Sequence, residues 1–191
     1  MRNIAIILLV VIWPLTLAGQ NIKNFSTQNI VNNTYYSLSE HGHEKAVVLI
    51  FFSGKCAYSE YYLERIKALN NEFASQGISF ALINSNNSDF VPEESETEMK
   101  KFAIQQNLSL PYLSDKNKEI KLLFGATRTP EVFVLKPGQN QFNVVYKGAI
   151  DDNPQTASDV NHAYLKDNLR NLLNNSAIEL NQTRPVGCLI K

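Results

Sequence analysis

The stretch VVLIFFSGKCAYSEYY, residues 47–62, decides the fold. It begins inside a continuous run of β-branched and aromatic residues, 46–52, whose length fits a strand buried on both faces. Residues 53–55 break this run, and from 56 to 74 apolar residues recur at helical spacing. The stretch therefore predicts a buried strand that passes directly into a helix, with Cys56 at the junction.

Strand and helix patterns alternate along the rest of the chain. Strands are predicted for 34–38, 78–84, 131–135 and 142–146, helices for 96–106, 118–124 and 160–173, a short extended piece for 110–113 and a turn for 137–140. The polar segment 20–33 predicts a loop or, at best, a weak hairpin. The order β-α-β-α-α-β-β-α predicts a single α/β domain, in which a mixed sheet with a parallel core and a closing hairpin carries helices on both faces.

Composition excludes several classes of protein. The chain has 191 residues, which suggests one domain, and 44% of them are hydrophobic, too many for a disordered chain. Eighteen basic and eighteen acidic residues cancel, so we expect no nucleic-acid partner. Two cysteines rule out both a disulfide-dense scaffold and a four-cysteine zinc site, and three histidines leave little for metal binding. We therefore expect neither a metal nor another cofactor.

Residues 1–19 have the pattern of a secretory signal peptide. A short positive start precedes an uncharged apolar run at 4–17, and small residues offer cleavage after Ala18 or Gly19. An uncleaved anchor is the alternative, but the run is shorter than the roughly 20 residues a spanning helix needs, and Pro14 interrupts it. We expect a mature domain at 20–191, exported to the periplasm or the exterior without further membrane contact. An oxidising compartment would allow its cysteines to pair.

Cys56 is the first candidate for chemistry. Free N–H groups and the positive end of the helix dipole favour a thiolate at the start of a helix, which makes the sulfur nucleophilic. Lys55 adds a positive charge beside it. The alternative is a packed core thiol, since cysteine is often buried. A turn between strand and helix tends to be exposed, which favours the nucleophile.

Two serines flank Cys56 at the positions where a second cysteine would make a Cys-x-x-Cys pair. They are Ser53, in Ser-Gly-Lys-Cys, and Ser59, in Cys-Ala-Tyr-Ser, so no local disulfide can form. Their hydroxyls could hydrogen-bond the thiolate or cap the helix, and for Ser53 the residues favour neither role.

The remaining candidates lie far along the chain. Thr129 and Pro130 precede the predicted strand 131–135, where composition alone favours an ordinary trans proline and leaves Arg128 a surface residue. Cys188 follows Pro-Val-Gly in the tail 174–191, whose local pattern does not indicate where it lies. The two cysteines can pair with each other, stay free or bond to another molecule.

Taken in order, these motifs resemble the thioredoxin-like superfamily. More narrowly, they resemble redoxins related to alkyl hydroperoxide reductase and thiol-specific antioxidant proteins. The resemblance runs from about residue 36 to the end of the chain. Its landmarks are VVLIFFSGKCAYSEYY, FALINSN, PYLSD, FGATRTPEVFVL, YKGAIDDN and TRPVGCLIK. It implies a thioredoxin fold in which Cys56 matches the exposed nucleophile. Pro130 then matches the cis-proline that packs beside this cysteine and holds extended substrates, and Thr129 is the residue before it.

The chain also departs from the family pattern. Relatives with Cys-Asn-His-Cys-Pro-Tyr have a cysteine where this chain has Ser53, and the usual thioredoxin resolving position is Ser59. In the peroxiredoxin pattern Pro-x-x-x-Thr-x-x-Cys, Leu49 replaces the proline and Ser53 the threonine, which keeps a hydroxyl. Cys188 matches the relatives' Pro-Val-Gly-Cys and is the remaining candidate for a resolving cysteine.

Three functions compete. The leading hypothesis is an exported antioxidant-type thiol oxidoreductase, in which Cys56 attacks a peroxide or a disulfide and Cys188 or an external thiol resolves the product. Its partners would be a small thiol, a peroxide or a protein disulfide, together with an external thiol reductant. The alternative is a redox-degenerate binding module that holds extended peptides in the cis-proline groove. A metallochaperone is disfavoured, because one cysteine without nearby His or Met makes a poor soft-metal site.

Overall fold

A computed structural model describes residues 20–86 and 88–191, and the predicted signal peptide lies outside these described residues. The strands are β1 (Asn21–Ile22), β2 (Ser26–Asn29), β3 (Thr34–Ser37), β4 (Ala46–Phe51), β5 (Ile78–Asn84), β6 (Tyr112–Ser114), β7 (Arg128–Thr129), β8 (Glu131–Gly138), β9 (Gln141–Gly148) and β10 (Cys188–Leu189). The helices are α1 (Ala57–Phe73), α2 (Glu96–Gln105), α3 (Glu119–Phe124) and α4 (Tyr164–Leu173). Short 3-10 helices cover Leu38–His41, Ala74–Gln76, Pro92–Glu94 and Ala157–Asp159.

Eight of the strands form one mixed sheet, in the order β1-β9-β8-β4-β5-β6-β2-β3. Strands β4, β5 and β6 run parallel, whereas β8 pairs antiparallel with both β4 and β9. The other two strands, β7 and β10, form a separate antiparallel pair. The predicted α/β class, with a parallel core and a closing hairpin, is confirmed.

The central strand β4 separates two hydrophobic cores, and all its residues are buried. Successive side chains of a strand point to opposite faces. Val48 and Ile50 therefore pack with α1, α2 and α4 on one face, while Val47 and Leu49 pack with α3 on the other. The helices lie on both faces of the sheet, as predicted.

Most element boundaries agree with the sequence prediction, and the differences have local causes. Helix α4 begins at Tyr164 rather than at 160, because the backbone before it bonds to the loop after β9: Asp152 N–H donates to His162 O over 3.1 Å. The polar segment 20–33 contains β1 and β2, and β2 pairs with β3 as a hairpin. Each of these two strands bonds to the larger sheet and is stabilised by it.

A buried carboxylate anchors helix α1 to the loop after β9. Asp151 accepts hydrogen bonds from Tyr62 Oη, at 2.7 Å, and from Arg65 Nη1, at 2.6 Å. Arg65 also donates to the carbonyl oxygens of Asn153 and Pro154, both at 2.7 Å. Burial, aided by the bond to Asp151, raises the pKa of Tyr62, which therefore stays neutral and donates. This network fixes the helix that carries Cys56 at its N-terminus.

We expect Asp151→Asn to lower the free energy of unfolding by about 2 kcal/mol, because the amide removes the charge that pairs with the largely buried Arg65. Urea denaturation would measure the change. Asp159→Asn is the matched control, since Asp159 is exposed and its substitution should change stability by less than about 0.5 kcal/mol. Equal losses in both variants would contradict the role of Asp151.

Candidate active site

Cys56 is the N-cap residue of α1 and lies five residues after the end of the central strand β4. Its backbone N–H bonds to Ser53 O at 3.2 Å, and its Sγ lies 3.1 Å from the carbonyl oxygen of Thr129. The side chain is only 2% exposed. The expectation of an exposed cysteine is therefore wrong for this state of the molecule, and the reason is the C-terminal tail, which covers the sulfur.

The sulfur atoms of Cys56 and Cys188 form a disulfide. The two residues are separated by 132 positions in sequence, and their Cα atoms lie 6.0 Å apart. Of the three possibilities that the sequence leaves open, the structure contains the intramolecular pair. Cys188 is partly exposed, unlike Cys56.

The tail reaches Cys56 by adding a strand beside the residues that precede Pro130. Strand β10 pairs antiparallel with β7, so that Cys188 lies opposite Thr129 and Leu189 lies opposite Arg128. Arg128 donates from Nη1 to Gly187 O at 2.8 Å. The side chain of Arg128 thus holds the tail instead of lying free on the surface.

The end of the tail is fixed by hydrogen bonds from two of its backbone N–H groups. The N–H of Ile190 donates to Thr127 O at 3.1 Å, and the N–H of Lys191 donates to Asn86 Oδ1 at 2.8 Å. The Ile190 side chain is 9% exposed and packs into the core on the α3 face of the sheet. The tail is therefore docked by apolar contact as well as by the disulfide.

A second anchor holds the tail further upstream. The N–H of Thr183 donates to Lys147 O at 3.0 Å, and its hydroxyl contacts Tyr146 Oη at 2.7 Å and Ala149 N at 2.9 Å. Gly148, with φ of 139°, allows this close approach, because a β-carbon there would overlap Thr183. Only residues 184–186 separate this anchor from the docked segment around Cys188.

The turn beside the disulfide contains a cis peptide bond between Thr129 and Pro130, as the family resemblance implies. Glu131, 7% exposed, fixes the preceding strand by accepting the N–H groups of Thr127, at 2.8 Å, and Arg128, at 3.1 Å. Sequence reasoning missed Glu131, although an acidic residue that opens an apolar strand is a usable signal. The hydroxyl of Thr129 is buried and has no hydrogen-bond partner within the described ranges.

In the disulfide form, the hydroxyls of the two serines beside Cys56 contact neither the helix start nor the sulfur. No side-chain hydrogen bond caps α1, and neither hydroxyl bonds to Cys56. The hydroxyl of Ser53 instead donates to Glu94 and accepts the N–H of Lys55 at 3.1 Å. Ser59 Oγ accepts the N–H of Ser53 at 3.4 Å. For Ser53 the physical reason is the buried carboxylate of Glu94, a strong acceptor to which the hydroxyl donates.

Glu94 is a second site residue that sequence reasoning missed. It is 4% exposed, and its carboxylate accepts hydrogen bonds from Ser53, from Asn84 and, at 3.4 Å, from Asn86 Nδ2. Burial raises the pKa of Glu94, against the hydrogen bonds from Ser53 and Asn84, which favour its ionised form. Its only sequence cue was a Pro-Glu-Glu-Ser run, which resembles an ordinary helix start.

Two open cavities meet at Glu94. One, of about 180 Å³, extends past Gly54, Lys55 and Tyr112, and the other, of about 270 Å³, extends past Asn84 and Asn86.

The described residues show no metal site. Within residues 20–86 and 88–191, no cluster of three His, Cys, Asp or Glu side chains is suited to hold a metal ion. The same ranges contain no helix long and apolar enough to span a membrane.

Comparison with known proteins identifies the setting of this site. Residues 18–147 match the model of a family described as the AhpC/TSA family. The structure is similar to an uncharacterized conserved protein from Geobacillus kaustophilus, with 26% identity, a TM-score of 0.83 and 93% of each chain covered. It is also similar to a hypothetical protein from Sinorhizobium meliloti, with 25% identity, a TM-score of 0.81 and coverage of 91% of this chain and 93% of the other.

A more distant solved structure identifies the fold. A thiol:disulfide interchange protein of the thioredoxin family from Chlorobium tepidum has 18% identity and a TM-score of 0.61, covering 81% of this chain and 97% of its own. At this identity the similarity shows the fold alone, so the predicted thioredoxin-like fold is confirmed. The chain matches no curated protein.

Proposed function

Because the chain belongs to the AhpC/TSA family, we propose that it is an exported thiol-dependent oxidoreductase with Cys56 as nucleophile and Cys188 as resolving cysteine. One observation carries the proposal. The cysteine at the start of α1 is bonded to a cysteine on a tail that docks beside the cis-proline turn. A disulfide at this position is the oxidised product that such a reaction leaves behind.

The surroundings of Cys56 support its role as the nucleophile. Once the disulfide is reduced, the sulfur lies at the N-terminus of a helix of 17 residues, where the helix dipole favours the thiolate. Cys188 offers no such environment, since its strand has only two residues. Cys56 is therefore the better attacking and the better leaving sulfur of the pair.

With a peroxide as substrate, the Cys56 thiolate attacks the terminal peroxide oxygen. The O–O bond breaks, Cys56 becomes a sulfenic acid, and the alcohol or water leaves with a proton from solvent. The thiol of Cys188 then attacks the sulfenic sulfur, water leaves, and the observed disulfide forms. The two sulfurs supply two electrons to the peroxide, and an external dithiol returns them.

With a disulfide as substrate, the same two cysteines lead to the same product. The Cys56 thiolate attacks one sulfur of the substrate, whose S–S bond breaks as a mixed disulfide forms and a thiolate leaves. Cys188 then attacks Cys56 Sγ and releases the second substrate thiol. Because both routes end at the Cys56–Cys188 bond, the substrate has to be identified by kinetics.

A second candidate is a peptide-binding module in which Cys56 is inert. One observation favours it: strand β7 already holds an extended segment, the chain's own β10. An external peptide could use this groove only after the tail has left it. The module hypothesis thus needs the tail to undock, whereas the oxidoreductase hypothesis needs it to dock.

Mass spectrometry of the reduced mature chain, residues 20–191, tests the proposal. One equivalent of hydrogen peroxide should convert both thiols into the Cys56–Cys188 disulfide within minutes, and dithiothreitol should reverse this. Cys188→Ser should stop at a sulfenic acid on Cys56 that dimedone traps, and Cys56→Ser should not react. A parallel series with oxidised glutathione tells which substrate class reacts faster.

The opposite outcome is equally clear. If Cys56 remains a thiol at a large excess of both oxidants, the oxidoreductase hypothesis fails, and the peptide-binding module takes its place. Export is tested separately by the mass of the secreted protein, which should begin after Ala18 or Gly19.

A further inference from the structure

Glu94 is a buried carboxyl group that the proposed reaction does not use. Three side chains point hydrogen-bond donors at it: Ser53, Asn84 and Asn86. Lys55 and Tyr112 interact with it electrostatically. Burying a carboxylate is costly unless hydrogen-bond donors satisfy it. The presence of a buried carboxyl group with its own set of donors therefore requires an explanation.

One set of bonds leads from Glu94 to Cys56. The Ser53 hydroxyl donates to Glu94, while the Ser53 carbonyl accepts the N–H of Cys56 at 3.2 Å. The same hydroxyl accepts the N–H of Lys55 at 3.1 Å. Glu94 therefore fixes the loop that presents Cys56 at the start of α1.

The other set of bonds leads from Glu94 to the tail. A carboxylate can only accept hydrogen bonds, so it turns the NH₂ end of Asn86 towards itself, at 3.4 Å. The carbonyl end of the Asn86 amide is then left to accept the N–H of Lys191, at 2.8 Å. Because an amide has one donor end and one acceptor end, Glu94 sets which end faces the tail.

We propose that Glu94 is a positioning residue that couples the docking of the C-terminal tail to the loop presenting Cys56, and thereby favours the Cys56–Cys188 disulfide. One set of bonds ends at the backbone of Cys56. The other ends at Lys191, in the docked tail, three residues after Cys188. The proposal rests on the proposed function only in giving this disulfide a redox role.

Glu94→Gln is the direct test, because glutamine has the same shape but only one acceptor oxygen. Its NH₂ group must face a donor, either Asn84 or Asn86, so one amide has to turn and lose its other partner. Each protein is equilibrated with glutathione redox buffers, and the fraction of Cys56–Cys188 disulfide is measured by mass spectrometry. We expect the equilibrium constant to shift about five- to tenfold towards the dithiol form.

Two further variants separate coupling from a general loss of structure. Glu96→Gln is the matched control: Glu96 lies two residues away, is half-buried, and accepts Ser114 Oγ instead of any residue of the loop or tail. Its equilibrium constant should stay within about twofold of the native value. Asn86→Ser cuts only the connection to the tail and should reproduce most of the Glu94→Gln shift. It also tests the proposal if Glu94→Gln does not fold.

The double variant Glu94→Gln/Asn86→Ser decides whether the effect runs through the tail. Its shift should be clearly smaller than the product of the two single shifts. The proposal is overturned if Asn86→Ser leaves the equilibrium unchanged, or if the two shifts multiply. No peroxide is used in this measurement. A chain that does not react with peroxide would contradict the proposed function, and the redox titration would still test the role of Glu94.

Discussion

Reduction of the Cys56–Cys188 disulfide is expected to lower the free energy of unfolding by about 5 kcal/mol. The bond joins residues 132 positions apart, and closing so long a loop removes much of the entropy of the unfolded chain. In the chain-entropy model, a loop of roughly 100 residues already corresponds to about 4.7 kcal/mol. The redox state should therefore change stability more than any single substitution considered above.

Urea unfolding of the oxidised and the dithiothreitol-reduced mature chain measures the difference. Cys188→Ser is the matched control, since it cannot form the bond and should unfold like the reduced native chain with or without dithiothreitol. A midpoint that does not change on reduction would contradict the expected stabilisation through the unfolded chain.

The sequence predicts the scaffold well because the scaffold depends on local patterns. The run 46–52 is apolar throughout, and the structure makes it the central strand β4, with neighbours on both sides. The helical spacing from 56 to 74 appears as α1, and Cys56 is its N-cap residue, at the predicted junction of strand and helix. Periodicity and breaker residues are enough to predict such elements, because the spacing of apolar residues indicates whether one face or both faces are buried.

The sequence could not predict the contacts that bring distant segments together. The tail has no periodicity, and the two cysteines alone left pairing, free thiols and an intermolecular bond equally open. Glu94 belongs to a polar run typical of a helix start, yet a cluster of amide and hydroxyl donors surrounds it in the fold. For Ser53 the sequence offers only partners that are near along the chain, whereas the acceptor of its hydroxyl proton, Glu94, lies 41 residues away.

These long-range contacts change the interpretation of the groove beside Pro130. The family resemblance implies a site for extended substrates, and in the disulfide form the chain's own tail fills that site with an antiparallel strand. A partner can therefore bind in this groove only after the disulfide is reduced and the tail has left it. The partly exposed Cys188, flanked by the exposed side chains of Val186 and Leu189, is the part of the bond that solvent reaches.

The substitution Gly187→Ala is expected to slow formation of the Cys56–Cys188 disulfide about 100-fold. A β-carbon on Gly187 would overlap the carbonyl oxygen of Thr129 and lie 2.7 Å from its carbonyl carbon and 3.1 Å from Pro130 N. These are backbone atoms just before the start of β8, so they cannot move aside as a flexible side chain would. The tail has to shift instead, at a cost of up to about 3 kcal/mol.

Stopped oxidation of the reduced variant, followed by alkylation and mass spectrometry, measures the rate of disulfide formation. Val186→Ala is the matched control: it changes the neighbouring residue, whose side chain is 47% exposed, and should leave the rate within about twofold of the native value. In Gly187→Ala the first step at Cys56 should keep its native rate, so sulfenic acid or mixed disulfide accumulates. A native rate of disulfide formation in Gly187→Ala would show that the sulfurs can meet without strand β10 docking against β7, and the resolving role of the docked tail would have to be given up.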